Sequence, residues 1–218
     1  YNSIEQVDKE YDLVLLAVKP QIISDIIDDL KDKFQNSIFI SVIAGKTIKY
    51  FEEKLDKSFK IIRTMPNLPS TIGKGVTAIC PNANVDKPSI ESIAELFRGV
   101  GEACILKSDE EHLIDSITAV SGSGPGYVFY LLDVMIKAAK DLGLKEDMAK
   151  TLVYQTIAGT VEMAKSSEFS EEELRKKVTS PKGTTEAGLN VFMADNKLKN
   201  LVEATYKAAK DRSIELAD

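Results

Sequence analysis

The stretch DLVLLAVKPQIISDIIDDL, Asp12 to Leu30, sets two periodicities side by side. Leu13 to Val18 is an unbroken apolar run, short enough for a strand and of the kind that suits a strand covered on both faces. Beyond Lys19 the pattern changes. Ile22, Ile23, Ile26, Ile27, Leu30 and then Phe34 return at three- and four-residue steps, the stripe of an amphipathic helix. Pro20 is placed to open that helix, because its missing N–H costs nothing in a first turn. A buried strand followed at once by an amphipathic helix is one unit of an α/β sheet.

Outward from there the unit repeats. IFISVI (Ile38 to Ile43), FKIIRT (Phe59 to Thr64), GVTAIC (Gly75 to Cys80) and ACILK (Ala103 to Lys107) read as further strands. Between them, TIKYFEEKL reads as a helix capped by Thr47, and Ile90, Ile93, Leu96, Phe97 and Val100 form a second helical stripe. The expected fold over residues 1–107 is therefore α/β, a doubly wound and mostly parallel sheet. Such a domain, where it binds a dinucleotide, normally opens with a strand, a G-x-G-x-x-G turn and a helix, and no such turn occurs here. Either that first unit lies upstream of Tyr1, or the domain does not bind a dinucleotide in the usual way.

From Ser108 the strand pattern stops, and residues 108–218 read as all helical. Ser108 with Glu111 and Ser170 with Glu173 have capping-box spacing. Tyr127 to Leu142, Lys145 to Lys165 and Lys197 to Leu216 read as long helices, the first stopped by Gly143. TLVYQTIAGTVEMA (Thr151 to Ala164) is apolar nearly all round, which implies burial on more than one side and hence a tight dimer.

The chain carries 28 Lys and Arg against 34 Asp and Glu, a net charge of -6. That balance excludes a broad nucleic-acid surface. No apolar run reaches the length of a membrane span. Cys80 and Cys104, the two cysteines, lie in apolar strand runs far apart, so they read as two buried thiols in a reducing cytoplasm rather than as a disulfide or a zinc pair.

Three strand ends carry loop chemistry on one sheet edge, where open α/β sheets bind ligands: AVKPQ with Lys19, IAG with Ala44, and RTMPNLP with Asn67 between two prolines. AVSGSGPGY (Ala119 to Tyr127) packs three glycines and a proline into nine residues, a sharp break whose backbone can touch a ligand or let helices cross closely. In KKVTSPKGTTEAGL (Lys176 to Leu189), Pro181 and Gly183 break the chain and Thr184 or Thr185 caps the next helix, whose first N–H groups suit an anion. His112, the single histidine, has no nucleophilic partner in DEEHLID and reads as a solvated surface position. No metal-ligand spacing stands out.

Four segments in this order, LLAVKPQ, RTMPNLP, ITAVSGSGPGYVF and VTSPKGTTEAGL, resemble the pyrroline-5-carboxylate reductase family, and the resemblance runs from Asp12 to the C-terminus. It implies a Rossmann-like domain lacking its first strand–helix–strand unit, since that family has its glycine-rich turn upstream, followed by a helical dimerisation domain. It implies reduction of the cyclic imine 1-pyrroline-5-carboxylate to L-proline with NADPH or NADH, the last step of proline biosynthesis.

By motif, Gly183, Thr184 and Thr185 would clasp the substrate carboxylate, with Ser180 shaping the turn and Thr185 near the ring nitrogen. Glu111 matches a position close to the substrate, from which it would assist the iminium charge, although it is also the capping partner of Ser108. Val18, Lys19, Pro20, Ala44 and Asn67 would line the cofactor, and Ser121, Gly122, Ser123 and Gly124 would lie near nicotinamide and substrate. The family's helical halves interlock as homodimers, often as pentamers of dimers, so a site draws on both chains. Lys182 and Gly126 replace residues that are usually glycine and alanine. Two other readings stand beside this one: a helical dimerisation or binding module without activity, and a related dehydrogenase of another small carboxylic acid.

Overall fold

The computed structural model describes residues 3–216; residues 1–2 and 217–218, the outermost pairs of the two expected domains, lie outside the described residues. Five strands form one sheet: β1 (Leu13–Leu16), β2 (Ile38–Ser41), β3 (Lys60–Met65), β4 (Gly75–Pro81) and β5 (Gly101–Ile105). They lie side by side in chain order, and every pairing is parallel except β3 with β4. Because β1, β2 and β3 are mutually parallel, the loops after all three leave the same sheet edge.

Helices α1 (Ile23–Lys33) and α2 (Ile48–Lys54) link the first three strands, and α3 (Lys87–Arg98) links β4 to β5. The two faces have separate cores. Ile23, Ile27 and Leu30 of α1 and Ile48 and Phe51 of α2 close over Leu16, Phe39 and Ile61. On the other face Val85, Ile93 and Ala94 cover Ile38, Ile40, Ile62 and Ile79. Adjacent residues such as Ile61 and Ile62 enter opposite cores, which is why the central strands read as continuous apolar runs.

That reading fails at the margins of the sheet. Leu13 and Leu15 of β1 pair with Ile38 and Ile40, yet they remain 43% and 59% exposed. Cys104 of β5 is likewise exposed, whereas Cys80 of central β4 is buried, so only one of the two expected buried thiols is buried. Burial pushes the Cys80 thiol up to about 12, with the nearby Glu111 carboxylate adding to the rise.

The helix ends follow local chemistry where a side chain is free to supply it. Thr47 accepts from the Tyr50 N–H, and Asp86 caps α3. Pro20 differs from expectation: it sits in a turn, and α1 starts three residues later at Ile23.

The remaining helices are α4 (Leu113–Ile117), a π-helical turn at Thr118–Gly122, α5 (Gly124–Asp141), α6 (Glu146–Lys165), α7 (Glu171–Lys177), α8 (Thr184–Phe192) and α9 (Lys197–Glu215). Gly143, at φ +93°, ends α5 as expected. The Ser170–Glu173 capping box forms with both reciprocal bonds. The one expected at Ser108 and Glu111 does not: α4 begins at Leu113 without a side-chain cap, and the Glu111 carboxylate is drawn elsewhere. The chain divides into two compact units, Tyr1–Pro125 with Tyr206–Asp218, and Gly126–Thr205.

Candidate functional site

Within the first unit the cofactor candidates share one edge. Val18, Lys19 and Pro20 follow β1, with Lys19 exposed. Ala44 is exposed after β2 and is followed by Gly45 at φ +75°. Asn67 follows β3 after Pro66, and its amide is used on both sides. Its Oδ1 accepts from the Val76 N–H at 2.9 Å, and its Nδ2 donates to the Ser121 carbonyl at 3.2 Å.

The Ser121 carbonyl needs that donor for a local reason. Its i+4 partner in an α-helix would be Pro125, which has no N–H. The segment therefore widens: the Ser123 N–H bonds the Thr118 carbonyl, five residues back. AVSGSGPGY is thus a π turn feeding α5, not the sharp break that its glycines suggested. Gly122 packs so closely that an added Cβ would lie 2.5 Å from Met65 Cε. Gly45, Thr118 and Ser123 line a common cavity of about 320 Å³, together with Arg212 and Ser213 of α9.

Glu111 sits behind these loops. Its Oε1 accepts from Arg63 Nη1 at 2.9 Å and from the Ile48 N–H, the first of α2, at 2.8 Å. The Arg63 and Glu111 side chains are 7% and 23% exposed. Sequence reasoning named Glu111 and missed Arg63, although a charge inside the strand KIIRTM was a visible signal that something buried must pair with it. Asp115 is held too, accepting from Ser213 Oγ at 2.7 Å. His112 is exposed, as its sequence context indicated.

In the other unit, taken by itself, the loop before α8 carries the substrate candidates. Gly183, not Thr184 or Thr185, is the N-cap, and no side chain caps the helix. The Gly183 N–H bonds the Ser180 carbonyl at 3.0 Å, and a Cβ on Gly183 would meet that same oxygen at 3.0 Å, so the turn is tight enough to favour glycine. Thr184, Thr185 and Glu186 form the first turn of α8, whose N–H groups have no partner within the helix. Ser180, Thr184 and Thr185 are exposed. Lys182 takes φ +60° and donates its N–H to Glu186 Oε2 at 2.7 Å, which fixes the loop from below.

The residues present fit a nicotinamide dinucleotide in kind: parallel strand ends with small residues on one edge, beside a turn rich in glycine. A second group of uncapped N–H donors fits a carboxylate.

Comparison with known proteins gives the same picture. Residues 111–216 match a family model described as pyrroline-5-carboxylate reductase dimerisation. The pyrroline-5-carboxylate reductase of Pseudomonas aeruginosa is 40% identical over 95% of this chain and 75% of its own length. Pyrroline-5-carboxylate reductase 2 of Bacillus subtilis is 35% identical over 95% and 73%. The solved structure of the Coxiella burnetii reductase is 36% identical with a TM-score of 0.93, covering 100% of this chain and 80% of that one. The Plasmodium falciparum pyrroline carboxylate reductase, solved with NADP bound, is 32% identical with a TM-score of 0.86, over 95% and 78%. With relatives of this identity over nearly its whole length, the chain belongs to the pyrroline-5-carboxylate reductase family.

Proposed function

We infer that this protein reduces 1-pyrroline-5-carboxylate to L-proline, the last step of proline biosynthesis, using NADPH or NADH. The observation that carries the reading is family membership across almost all of the chain, both units included. In this reading residues 1–107 serve the cofactor, and residues 108–218 serve substrate binding and dimerisation.

A nicotinamide cofactor, when bound, supplies the hydride. Val18, Lys19, Pro20, Ala44 and Asn67 would hold it along the sheet edge, and Ser121, Gly122, Ser123 and Gly124 would present backbone beside the nicotinamide. The substrate is a cyclic imine with one carboxylate. The first-turn N–H groups at Thr184 and Thr185 receive that carboxylate, with Gly183 and Ser180 shaping the turn. Thr185 also reaches the ring-nitrogen region. The imine nitrogen takes a proton from solvent, its carbon takes the hydride, and the C=N bond becomes the C–N bond of proline. The protein's share is to align the two reactants, which is where most of such a rate gain lies.

Glu111 has its Oε1 already engaged by Arg63 and Ile48, so we assign it an indirect role, argued below, rather than contact with the iminium. The apolar side chains left open on α5, α6 and α8 support a homodimer. Assembly of such dimers into pentamers of dimers is the finer form of this proposal. No helix among the described residues is long and apolar enough to cross a membrane. A cytoplasmic location is part of this proposal, in keeping with a biosynthetic reductase.

The test is oxidation of NADPH and of NADH, followed at the nicotinamide absorbance band, with pyrroline-5-carboxylate and with a 2-oxo acid. Turnover on the imine alone supports the reading. Turnover on the 2-oxo acid alone would point to a related dehydrogenase, and no turnover with either would favour a binding module.

A further inference from the structure

We propose that Arg63 and Glu111 form a buried brace that positions the turn Ser121–Gly124 and the Ala44–Gly45 loop, a role that rests on the reductase reading above. Neither residue touches substrate; both act through the backbone that does.

A guanidinium as enclosed as that of Arg63 persists only when paired, and Glu111 is its partner. The carboxylate meets three elements at one point. It begins the segment that runs through α4 to the π turn, its Oε1 takes Arg63 of β3, and the same oxygen takes the first N–H of α2. Ile48 follows Gly45 by three residues, so that bond fixes where the Ala44–Gly45 loop re-enters the fold. A carboxylate at a helix start is also favoured by the exposed N–H groups there.

A second tie joins the same two segments at their other ends: Asn67 Nδ2 to the Ser121 carbonyl. Between Arg63 and Asn67 the chain spans about 13 Å at the rise of a strand. Between Glu111 and Ser121 it spans about 15 Å at the rise of a helix. The spans match, so the two ties hold the helical segment to the β3 segment at both ends. One tie is at the proposed nicotinamide side, and the other is the ion pair. Releasing the ion pair leaves the Asn67–Ser121 bond as the remaining tie of the two, so the turn Ser121–Gly124 is free to reorient about it and the α2 start loses its acceptor.

The experiment uses the full-length protein with wild type as reference and three variants: Glu111→Gln, Arg63→Lys, and the apolar pair Arg63→Met with Glu111→Leu. The pair removes both charges together, so it leaves no buried ion alone. For the pair, a brace predicts a kcat lower by about 10- to 100-fold and a cofactor KM higher by about 10-fold, with the imine KM and the shape of the kcat–pH profile unchanged. Arg63→Lys, which keeps the charge, should recover most of that loss. A pair variant with wild-type kcat and cofactor KM overturns the brace. So does a Glu111→Gln variant that loses one limb of the pH profile, since Glu111 would then titrate on the reaction path.

Should the pair variant fail to fold, Glu111→Gln is judged by the same two constants, with Arg63→Lys expected to stay near wild type. A wild type without turnover would sink the reductase reading separately. Cofactor fluorescence titrations of the pair variant and of Glu111→Gln then decide the brace: an increase in Kd of about 10-fold supports it, and an unchanged Kd overturns it.

Discussion

In the sheet-bearing unit Phe51, Phe39 and Ile61 are fully buried, whereas among the described residues of Gly126–Thr205 only Ala149 and Val153 are buried. There Phe129, Tyr130 and Val191 stand 58%, 71% and 77% exposed. The two regions have the same kind of side chains and a different way of removing them from water. Helices folded across a sheet close both its faces within one chain. The second region leaves its stripes open, and the same hydrophobic gain, about 25 cal/mol per Å² of apolar surface, is available only against another surface. That is the physical content of a dimerisation domain.

The comparison breaks most visibly under paired truncations. Phe51→Ala should cost about 3–5 kcal/mol in urea unfolding, because it opens a cavity in a closed core. Phe129→Ala should change unfolding of the monomer by less than about 0.5 kcal/mol. Its effect should surface instead as a dimer that dissociates at higher protein concentration in analytical ultracentrifugation. Equal losses in the two denaturation curves would mean that the helical region has a core of its own.

Thr185→Ala sharpens the division of labour. We expect a rise in the imine KM of about 10- to 100-fold, the worth of a hydrogen bond to a charged group. Stability should stay within about 0.5 kcal/mol of wild type, because the residue is exposed and its loop is held by Ser180, Gly183 and Glu186. Steady-state kinetics with unchanged constants would remove this loop from the site.

A smaller effect is expected at Lys182, whose φ of +60° is strained for any residue with a Cβ. Lys182→Gly should stabilise the fold by about 1 kcal/mol, read as a higher Tm, since relief of that strain outweighs the added chain entropy of glycine. A lower Tm would show that the lysine side chain contributes more than its backbone costs.

The smallest effect concerns the exposed link between α5 and α6, where Glu146 bonds Lys140 at 2.9 Å and Lys150 at 2.7 Å. Those two hydrogen bonds lower its carboxyl from 4.5 to about 2. A depressed carboxylate pKa means that the link is present above the ordinary value and is lost as pH falls through about 2. An NMR titration of the Glu146 carboxyl should find that midpoint move upward in high salt, as screening of an exposed pair requires. A midpoint indifferent to salt would contradict a surface ion pair.

Much of this was legible from local pattern. All five strands, the stripes of α1 and α3, the Thr47 cap, the Ser170–Glu173 box and the Gly143 stop each depend on residues within a few positions of one another. What failed did so where a distant partner outbid a local one. Glu111 leaves Ser108 for Arg63 and Ile48, because a buried guanidinium and an open helix start together offer more than one exposed N–H. Cys104 and Leu15 are apolar in pattern but fall on the two edge strands, on faces that stay exposed among the described residues.

The sequence by itself determined the alternation of strands and helices, the all-helical second half and the four motifs that carry the family likeness, because side-chain periodicity and turn chemistry are short-range. Only the tertiary structure decided that Asn67 would meet Ser121 across 54 positions and that Arg63 would meet Glu111 across 48. Those bonds depend on which strand ends share an edge and on a proline at 125 that leaves one carbonyl in want of a donor. Neither condition is written in the spacing of the residues that form the bond.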